Sequence, residues 1–517
     1  MTLLPHLFRM LSLLASASWN LATEDPWGFA GKLAERIRQS NGPVLSLLPT
    51  EPLTRLAAAP TSKARQLIDT GHFTAGIQHV AELGSAASRS DIHLAKRTLE
   101  RLEQLTTRPP TVTHISRSTD EHRVLHVLTN SKPFTQSGYT VRSHNVLTCQ
   151  QEAGIQVEAV TRLAYPVLVG KFPTSATQVV DDIAYHRMLP WSYPAGLRKR
   201  DTLAVRDLVG RAHHFRATVL HTTTDYKNAV IVARAAAELD IPWVYEVRGE
   251  LENTWLSRQP VDKQTEAEAS EFYNLARSQE ARYMQAADAV VALSEVSRDQ
   301  LVERGVRPGK IHVIPNAVES DLVGRDFDRS AIRRELGLDP EVTLVGTVTS
   351  VVDYEGLEVL IRALKHLPHK VSALIVGDGT ARPRLESLAH QLGLEQRVIF
   401  TGRQPQKSIW RWYAALNVFV VPRRDIPVTR TVTPLKPLTA QALGIPVVAS
   451  DLPALREVTG GLARYVAPDD SEALAEALAS LDPSGRKQEG NEEWLTGRTW
   501  AANGERYRML YDSLVAR

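Results

Sequence analysis

Charged side chains collect at a few places where apolar runs of this chain end, and those are the places where chemistry can be done. The run IPWVYEVRG closes on Glu246 and Arg248, with Glu250 two residues further on. Charges at the end of a buried strand are costly to place without a use. Arginine stays protonated, so Arg248 is an electrostatic or positioning group and not a base. It is taken, with Glu246, as the reaction-side charge.

Downstream, VPRRDIPVTRTVTPLKP gathers Arg423, Arg424, Arg430 and Lys436. Such a set suits phosphate oxygens; a solvated basic loop is the plainer alternative. Pro434 and Pro437 fix the backbone, which could present the Leu435 and Lys436 amides to the same oxygens. Earlier, Gly138 follows a short apolar run and lets backbone approach a ligand closely. Ser137, Tyr139 and Arg142 add polar groups at the start of the next helix, where the dipole favours phosphate. A plain strand-to-helix turn accounts for the same residues. The D-x-D pair Asp326 and Asp328 falls in a connector and is read as loop, so no metal site is expected.

The elements that must position these groups alternate. RVLHVLTN, IQVEAVTR, ATVLHTTT, IPWVYEVRG and DAVVALS read as buried strands, with helices between them such as KNAVIVARAAAELD and SEFYNLARSQEARYMQAA. The pattern restarts after KIHVIPNAVES with VTLVGTVTS, KVSALIVGDG, RVIFTGR, NVFVVP and IPVVASD as strands. Alternation of this kind predicts parallel sheets wound on both faces. Ligands collect at the carboxyl ends of such strands, so the expected site is the cleft between two such domains.

At 517 residues, with 43% hydrophobic and 23% charged residues, the chain has the composition of ordinary folded domains and length for two or three. Sixty-one basic against 58 acidic residues, a formal charge of +3, exclude a strongly basic nucleic-acid binder. Cys149 is the single cysteine. It excludes an internal disulfide and a Cys-rich zinc site, and favours a reducing compartment, hence a cytoplasmic location.

The first twenty residues, MTLLPHLFRMLSLLASASWN, carry His6 and Arg9 inside the apolar run, which argues against a signal peptide. Docking on the protein's own core is the preferred reading for them, and a helix touching the inner face of a membrane is the alternative. Residues from about 26 to 107 read as helices, and the middle piece does not repeat at a fixed period. TTRPPTVTHISRSTDEH reads as a linker. HRMLPWSYPAGLRKRD, with Trp191, Tyr193 and Arg198 to Arg200, reads either as a patch for anionic lipid head groups or as a capping surface loop.

Over residues 122 to 515 the strings SGYTVRSHNVLTCQQEAG, TTDYKNA, YEVRGELEN, VIPNAV, DYEGLEVLIRAL, TGR, VVPRRD, VTPLKPLTAQALGIPVVASDLPALRE and WAANGERYRMLY stand in one order. In content and order they resemble family-4 glycosyltransferases of the GT-B fold, the group 1 glycosyl transferases. The resemblance implies two Rossmann-like domains and a retaining, hexosyl-type transfer. The donor would be a nucleoside-diphosphate sugar and the acceptor a glycan or lipid-linked hydroxyl, in cell-surface polysaccharide or glycoconjugate synthesis. It implies no cofactor and metal-independent catalysis.

It further implies that Gly138, Tyr139, Gly377, Gly379, Arg403, Arg423, Arg424, Arg430, Leu435 and Thr439 lie on the donor side. Arg142, Asp225, Tyr226, Asn228 and Glu250 would lie on the acceptor side. Arg403 is equally well a surface residue. The implied domains are a helical extension over 1–107, a linker over 108–121, an acceptor domain over 122–318, a donor domain over 319–498 and a terminal helix over 499–517 that crosses back.

Four positions depart from the family's pattern. Arg248 stands where many relatives have a histidine, Glu355 where they have a donor-phosphate lysine, and Thr431 and Thr439 where they have two glutamates. A non-catalytic GT-B partner protein is therefore the alternative reading.

Overall fold

The computed structural model describes residues 3–24, 62–111, 121–481 and 491–515. The helix read at 30–40 and most of the expected linker lie outside them. Two compact units result, one of Met1–Val291, Arg304–Ile311 and Met509–Arg517, the other of Ala292–Glu303 and His312–Arg508.

The first unit is built on β1 (Arg123–Leu128), β2 (Gln156–Thr161), β3 (Thr177–Val180), β4 (Ile183–Arg187), β5 (Val219–Thr223), β6 (Trp243–Glu246), β7 (Ala289–Ala292) and β8 (Ile311–Val313). Their order in the sheet is β3-β4-β2-β1-β5-β6-β7-β8. The pairs from β4 through β7 are parallel. Every residue of β5, β6 and β7 is buried, as a parallel strand covered on both faces requires.

β3 pairs antiparallel with β4. The two are joined by Asp181 and Asp182, both at positive φ, the backbone of a two-residue hairpin turn. The strand-helix alternation of the sequence does not announce this hairpin. The Val-Val-Asp-Asp-Ile string, β-formers around a residue pair tolerant of left-handed backbone, is the signal that could have found it.

The N-terminal helices belong to this unit. α1 (Leu3–Glu24) precedes α2 (Lys63–Asp69), α3 (Phe73–Leu83) and α4 (Arg89–Thr106). Ala64, Val80 and Ala95 form the small core between the last three. Further along come α5 (Gly138–Glu152), α6 (Leu197–Phe215), α7 (Tyr226–Leu239) and α8 (Glu271–Ala286). Phe73 packs on Phe272 at 5.3 Å, and Gln279 Nε2 donates to Gln104 O at 2.8 Å, so the extension is fastened to α8.

The second unit carries β9 (Thr343–Val348), β10 (Val371–Val376), β11 (Val398–Gly402), β12 (Val418–Val421), β13 (Val447–Ser450) and β14 (Arg464–Val466). They are ordered β11-β10-β9-β12-β13-β14, all parallel. Side chains alternate between faces along a strand. Leu374 and Val376 of β10 and Phe419 and Val421 of β12 therefore pack into one core, while Ala373, Ile375, Val418 and Val420 pack into a second one on the other face. Two separate cores on one sheet are what double winding means physically. Two further helices matter for the site, α9 (Leu357–Ala363) and α10 (Lys436–Ala442), and the chain closes with α11 (Trp500–Val515).

Candidate functional site

In the first unit the strand ends bring Glu246, Arg142 and Arg248 together. Glu246 is the last residue of β6 and is fully buried, side chain included. Arg142, one turn into α5, donates from Nε to Glu246 Oε1 at 2.9 Å. Arg248 donates from Nη2 to Glu246 Oε2 at 2.7 Å and from Nη1 to Ser143 Oγ at 2.6 Å. Its guanidinium also lies over the Tyr139 ring, 5.1 Å from the centroid. Burial pushes the Glu246 carboxyl upward, but Arg248 and then Arg142 outweigh it and hold the group well below the usual carboxylate range.

This geometry changes the role expected of Glu246. A carboxylate with no exposed surface and both oxygens engaged cannot meet a substrate; it positions Arg248 and Arg142 instead. Arg142 is itself buried, so it braces the cluster and offers little to an acceptor.

Behind Glu246 runs a network that the sequence analysis did not single out. His221 Nε2 lies 3.5 Å from Glu246 Oε2, and His221 Nδ1 lies 2.7 Å from the Tyr511 hydroxyl, supplied by α11. Gln150 Nε2 donates to the same hydroxyl at 3.0 Å, and Gln150 Oε1 is 2.8 Å from His126 Nε2. His126 and His221 are register partners on β1 and β5, with rings stacked at 4.6 Å. Burial keeps both imidazoles below their ordinary value: for His126 the neighbouring His221 adds to it, and for His221 the pull of Glu246 opposes it. Histidine in the middle of apolar strands, as in VLHVL and VLHTT, was the available signal.

The remaining first-unit candidates mostly hold the backbone. Ser137 and Thr140 form a capping box that satisfies the start of α5. An added side chain at Gly138 would meet nothing within 4 Å, so its smallness is not required by the fold. The Tyr139 hydroxyl bonds to Thr223 Oγ1 and accepts from Thr129 N. Asp225 caps α7 through Lys227 N at 3.1 Å. Tyr226 and Asn228 are buried, and Asn228 Nδ2 ties the β5 end to the β1 loop through Thr129 Oγ1 at 2.8 Å. Glu250 pairs with Arg304. These four residues, placed on the acceptor side by the resemblance, are engaged in the protein's own structure.

Tyr226 N–H donates to Glu280 Oε1 at 2.7 Å, and the Tyr245 hydroxyl donates to Glu280 Oε2 at 2.5 Å. Burial first and Asp225 second push this carboxyl up to about 8.

The second unit repeats the ionic theme with a different outlet. Glu355 lies in the turn after β9 and is buried. Arg423, just past β12, donates from Nη2 to Glu355 Oε1 at 3.0 Å and from Nε to Oε2 at 3.3 Å, a bidentate pair. Lys436 Nζ donates to Glu355 Oε1 at 2.7 Å and also to Thr349 Oγ1. Burial would raise Glu355, but Lys436 and then Arg423 hold it below the usual range. Burial lowers Lys436, against the pull of Glu355. The side chains of Glu355 and Arg423 are 3% and 5% exposed, whereas that of Lys436 is 25% exposed. Two cations on one carboxylate leave an excess positive charge, and it reaches solvent at Lys436.

The glycines Gly377 and Gly379, expected on the donor side, are required by the fold itself. A Cβ at Gly377 would lie 1.8 Å from Thr349 O, and one at Gly379 would lie 2.2 Å from Val351 O. Both therefore let the β10 loop close onto the β9 loop, where the space is filled by carbonyl groups. Arg424 pairs with Glu358, and Arg430 with Asp425 on the surface, Nη2 to Oδ2 at 2.6 Å. Arg403 is exposed and Thr431 is half-buried. Thr439 Oγ1 donates back to Leu435 O at 3.2 Å, an intrahelical bond. Asp328 caps a helix through Ala331 N at 3.0 Å. Among the described residues no group of three His, Cys, Asp or Glu side chains could hold a metal ion.

Comparison with known proteins agrees with this architecture. Residues 137–317 match the family described as "Glycosyl transferase 4-like domain", and residues 339–482 match "Glycosyl transferases group 1". The D-inositol 3-phosphate glycosyltransferase of Xylanimonas cellulosilytica is 33% identical over 206 residues, 38% of this chain and 48% of that one. The lipopolysaccharide core biosynthesis mannosyltransferase LpsB of Rhizobium meliloti is 31% identical over 181 residues, 33% of this chain and 50% of that one.

The chain thus spans about half the length of the curated relatives it matches. Among solved structures, Anabaena HepE in complex with UDP superposes with a TM-score of 0.57 at 20% identity, covering 76% of this chain and 100% of that one. Sucrose-phosphate synthase of Thermosynechococcus elongatus superposes with a TM-score of 0.58 at 19% identity, with the same coverage. At that identity the likeness is one of fold. Two family matches in succession and two parallel, doubly wound sheets lead to one assignment: the chain belongs to the group 1 glycosyl transferases, with the paired Rossmann-like domains of the GT-B fold.

Proposed function

We propose that this protein is a retaining glycosyltransferase that moves a hexose from a nucleoside-diphosphate sugar to a hydroxyl of a glycan or lipid-linked acceptor, in the synthesis of cell-surface polysaccharide or glycoconjugate. The observation that carries the reading is the cluster of Arg423 and Lys436 on Glu355 at the strand ends of the second unit, with its excess charge open at Lys436. The names of the relatives, an inositol phosphate glycosyltransferase and a lipopolysaccharide mannosyltransferase, support the reaction class. The likeness in fold to a protein solved with UDP supports a nucleotide donor.

In this reading the protein does little covalent work. Departure of the sugar concentrates negative charge on the diphosphate, and fixed cations that need no reorganisation stabilise it. Lys436 has three N–H donors, of which Thr349 and Glu355 take two, so one remains for a phosphate oxygen. Glu355 replaces a family lysine, yet it holds Arg423 and Lys436 side by side. Arg248, fixed by Glu246, is the reaction-side charge. A non-catalytic partner built on the same fold finds no support in the relatives' names, all of which are transferases.

Thermal unfolding with UDP, GDP and their sugars tests this directly, because a ligand bound only by the folded state stabilises it by RT ln(1 + [L]/Kd). One nucleotide is expected to raise the melting temperature. Lys436→Ala is expected to abolish that shift and to lower turnover by about 10²–10³-fold, as loss of a transition-state donor does. Absence of a shift with every nucleotide sinks the proposal.

A further inference from the structure

α1 is apolar on both sides of its axis. On one side Met10, Leu13 and Ala17 are buried, and Met10 and Leu13 pack with Ala164, Val167 and Leu189. Polar bonds lock this docking: Tyr193 N donates to Ser16 Oγ at 2.9 Å, Asn20 Nδ2 donates to Tyr193 O at 2.7 Å, and His6 Nε2 lies 2.8 Å from Pro173 O. The orientation of the helix is therefore set by the first unit.

The opposite side carries Leu7, Phe8, Leu11 and Trp19, all exposed, Phe8 and Trp19 at 71% each. Steps of three and four residues place Phe8, Leu11 and Trp19 along one line of the helix. Phe172 and Trp191, also exposed, flank it: Pro173 touches His6, and the Arg9 guanidinium lies 5.9 Å from the Trp191 ring. A helix that is apolar all round belongs in a core or in lipid. Here one half has a core, and the other half has no apolar cover among the described residues.

Charge decides what fits that half. The segments 3–24 and 162–200, which build this side of the unit, contain three acidic residues, Glu24, Asp181 and Asp182, against seven basic ones. The basic ones are Arg9, Arg162, Lys171, Arg187, Arg198, Lys199 and Arg200, of which Lys171, Arg198 and Lys199 are exposed, Arg198 being paired with Glu103 of α4. A second copy of the chain would bring the same basic segments face to face, so self-association is disfavoured. Exposed Phe and Trp rimmed by Lys and Arg match the boundary between acyl chains and anionic head groups. No described helix is long and apolar enough to cross a membrane, so α1 would lie in the plane of the interface.

We propose that the outer side of α1, with Phe172 and Trp191, is a docking surface for anionic lipid bilayers. α1 lies outside both family matches, whereas Phe172 and Trp191 lie inside the first of them, so the helix extends a face of that domain.

Flotation of the full chain with vesicles tests it. The chain is expected to float with phosphatidylcholine vesicles containing phosphatidylglycerol and to bind pure phosphatidylcholine about tenfold more weakly, with the difference shrinking at high salt. Phe8→Ser with Trp19→Ser is expected to weaken binding by more than about tenfold, given the apolar area removed. Lys171→Glu with Lys199→Glu is expected to remove the preference for phosphatidylglycerol. All four side chains are exposed, and the melting temperature of each variant shows that the fold is kept. Failure to float, equal binding to both vesicles, or full binding by either double variant overturns the proposal. So does a wild-type dimer that Phe8→Ser with Trp19→Ser converts to monomer.

Discussion

Each unit holds one buried carboxylate between two cations at the ends of its strands, and the two clusters differ in how they meet water. In the first, Glu246, Arg142 and Arg248 are all sealed, with side chains 0%, 5% and 6% exposed. Behind them stand neutral partners, His221 and Tyr511, that extend the network into the core. In the second, Glu355 and Arg423 are equally dry, but Lys436 opens to solvent. The same charge count therefore serves two purposes. A sealed cluster fixes geometry, because its charged groups are turned to one another. An open one retains charge for a ligand.

The largest expected effect tests the sealing. Removing one partner of a buried ion cluster leaves uncompensated charge, a loss of about 3–5 kcal/mol. Glu246→Ala strands two dry guanidinium groups and should destabilise the first unit by that amount. Glu355→Ala strands one dry group, and its other partner reaches water, so about 1–2 kcal/mol is expected in the second unit. Hydrogen exchange at β6 and β9, read separately in urea, resolves the two. Equal losses would dissolve the distinction between the clusters.

A smaller effect sharpens the same comparison from the ligand side. Glu355 is held below the usual carboxylate range, so it stays ionised throughout the neutral region and opposes any diphosphate drawn to Lys436. Glu355→Gln keeps the shape and removes the charge. If the diphosphate binds there, nucleotide affinity should rise roughly tenfold, the scale of one charge at several ångströms in a partly screened site. Calorimetric titration between pH 6 and 8 should give a constant ratio of variant to wild type. An unchanged or weaker affinity means that the diphosphate lies elsewhere.

The fold was largely legible because double winding writes itself into sequence: each buried parallel strand is an apolar run, and each crossover a helical period. The β3–β4 hairpin was not, since its short, half-exposed strands lack that run. For the site, residue types were legible and partners were not. Arg423, Lys436 and Glu355 stand out in sequence, but Glu355 reads there as the loss of a lysine, and only the turn after β9 shows it holding both cations. Gly377 and Gly379 read only as donor-side positions, and it takes the structure to show that their missing Cβ atoms also make room for the carbonyls of Thr349 and Val351. His126 and His221 escaped because two histidines 95 residues apart become neighbours only through strand register.

The smallest effect concerns the network behind Glu246, and its sign follows from the direction of each shift. His126 and His221 sit below their unfolded value of about 6.5, so their contribution is whole above that pH and is lost as pH falls toward the folded values. Glu280, pushed up to about 8, has the opposite sign: its contribution is whole below about 4.5 and is lost as pH rises through about 8. The two oppose each other between about pH 4.5 and 6.5, so the wild-type profile alone is uninformative there. His221→Gln keeps an amide within reach of Tyr511 and removes one titrating group. Below about pH 6.5 the wild type should lose stability faster than the variant, by up to about 1.4 kcal/mol per pH unit, the limit for one proton. Urea unfolding of both proteins at pH 7.5, 6.5 and 5.5 measures the difference. Parallel profiles would mean that His221 takes up its proton without strain, and that the first cluster is less sealed than its geometry indicates.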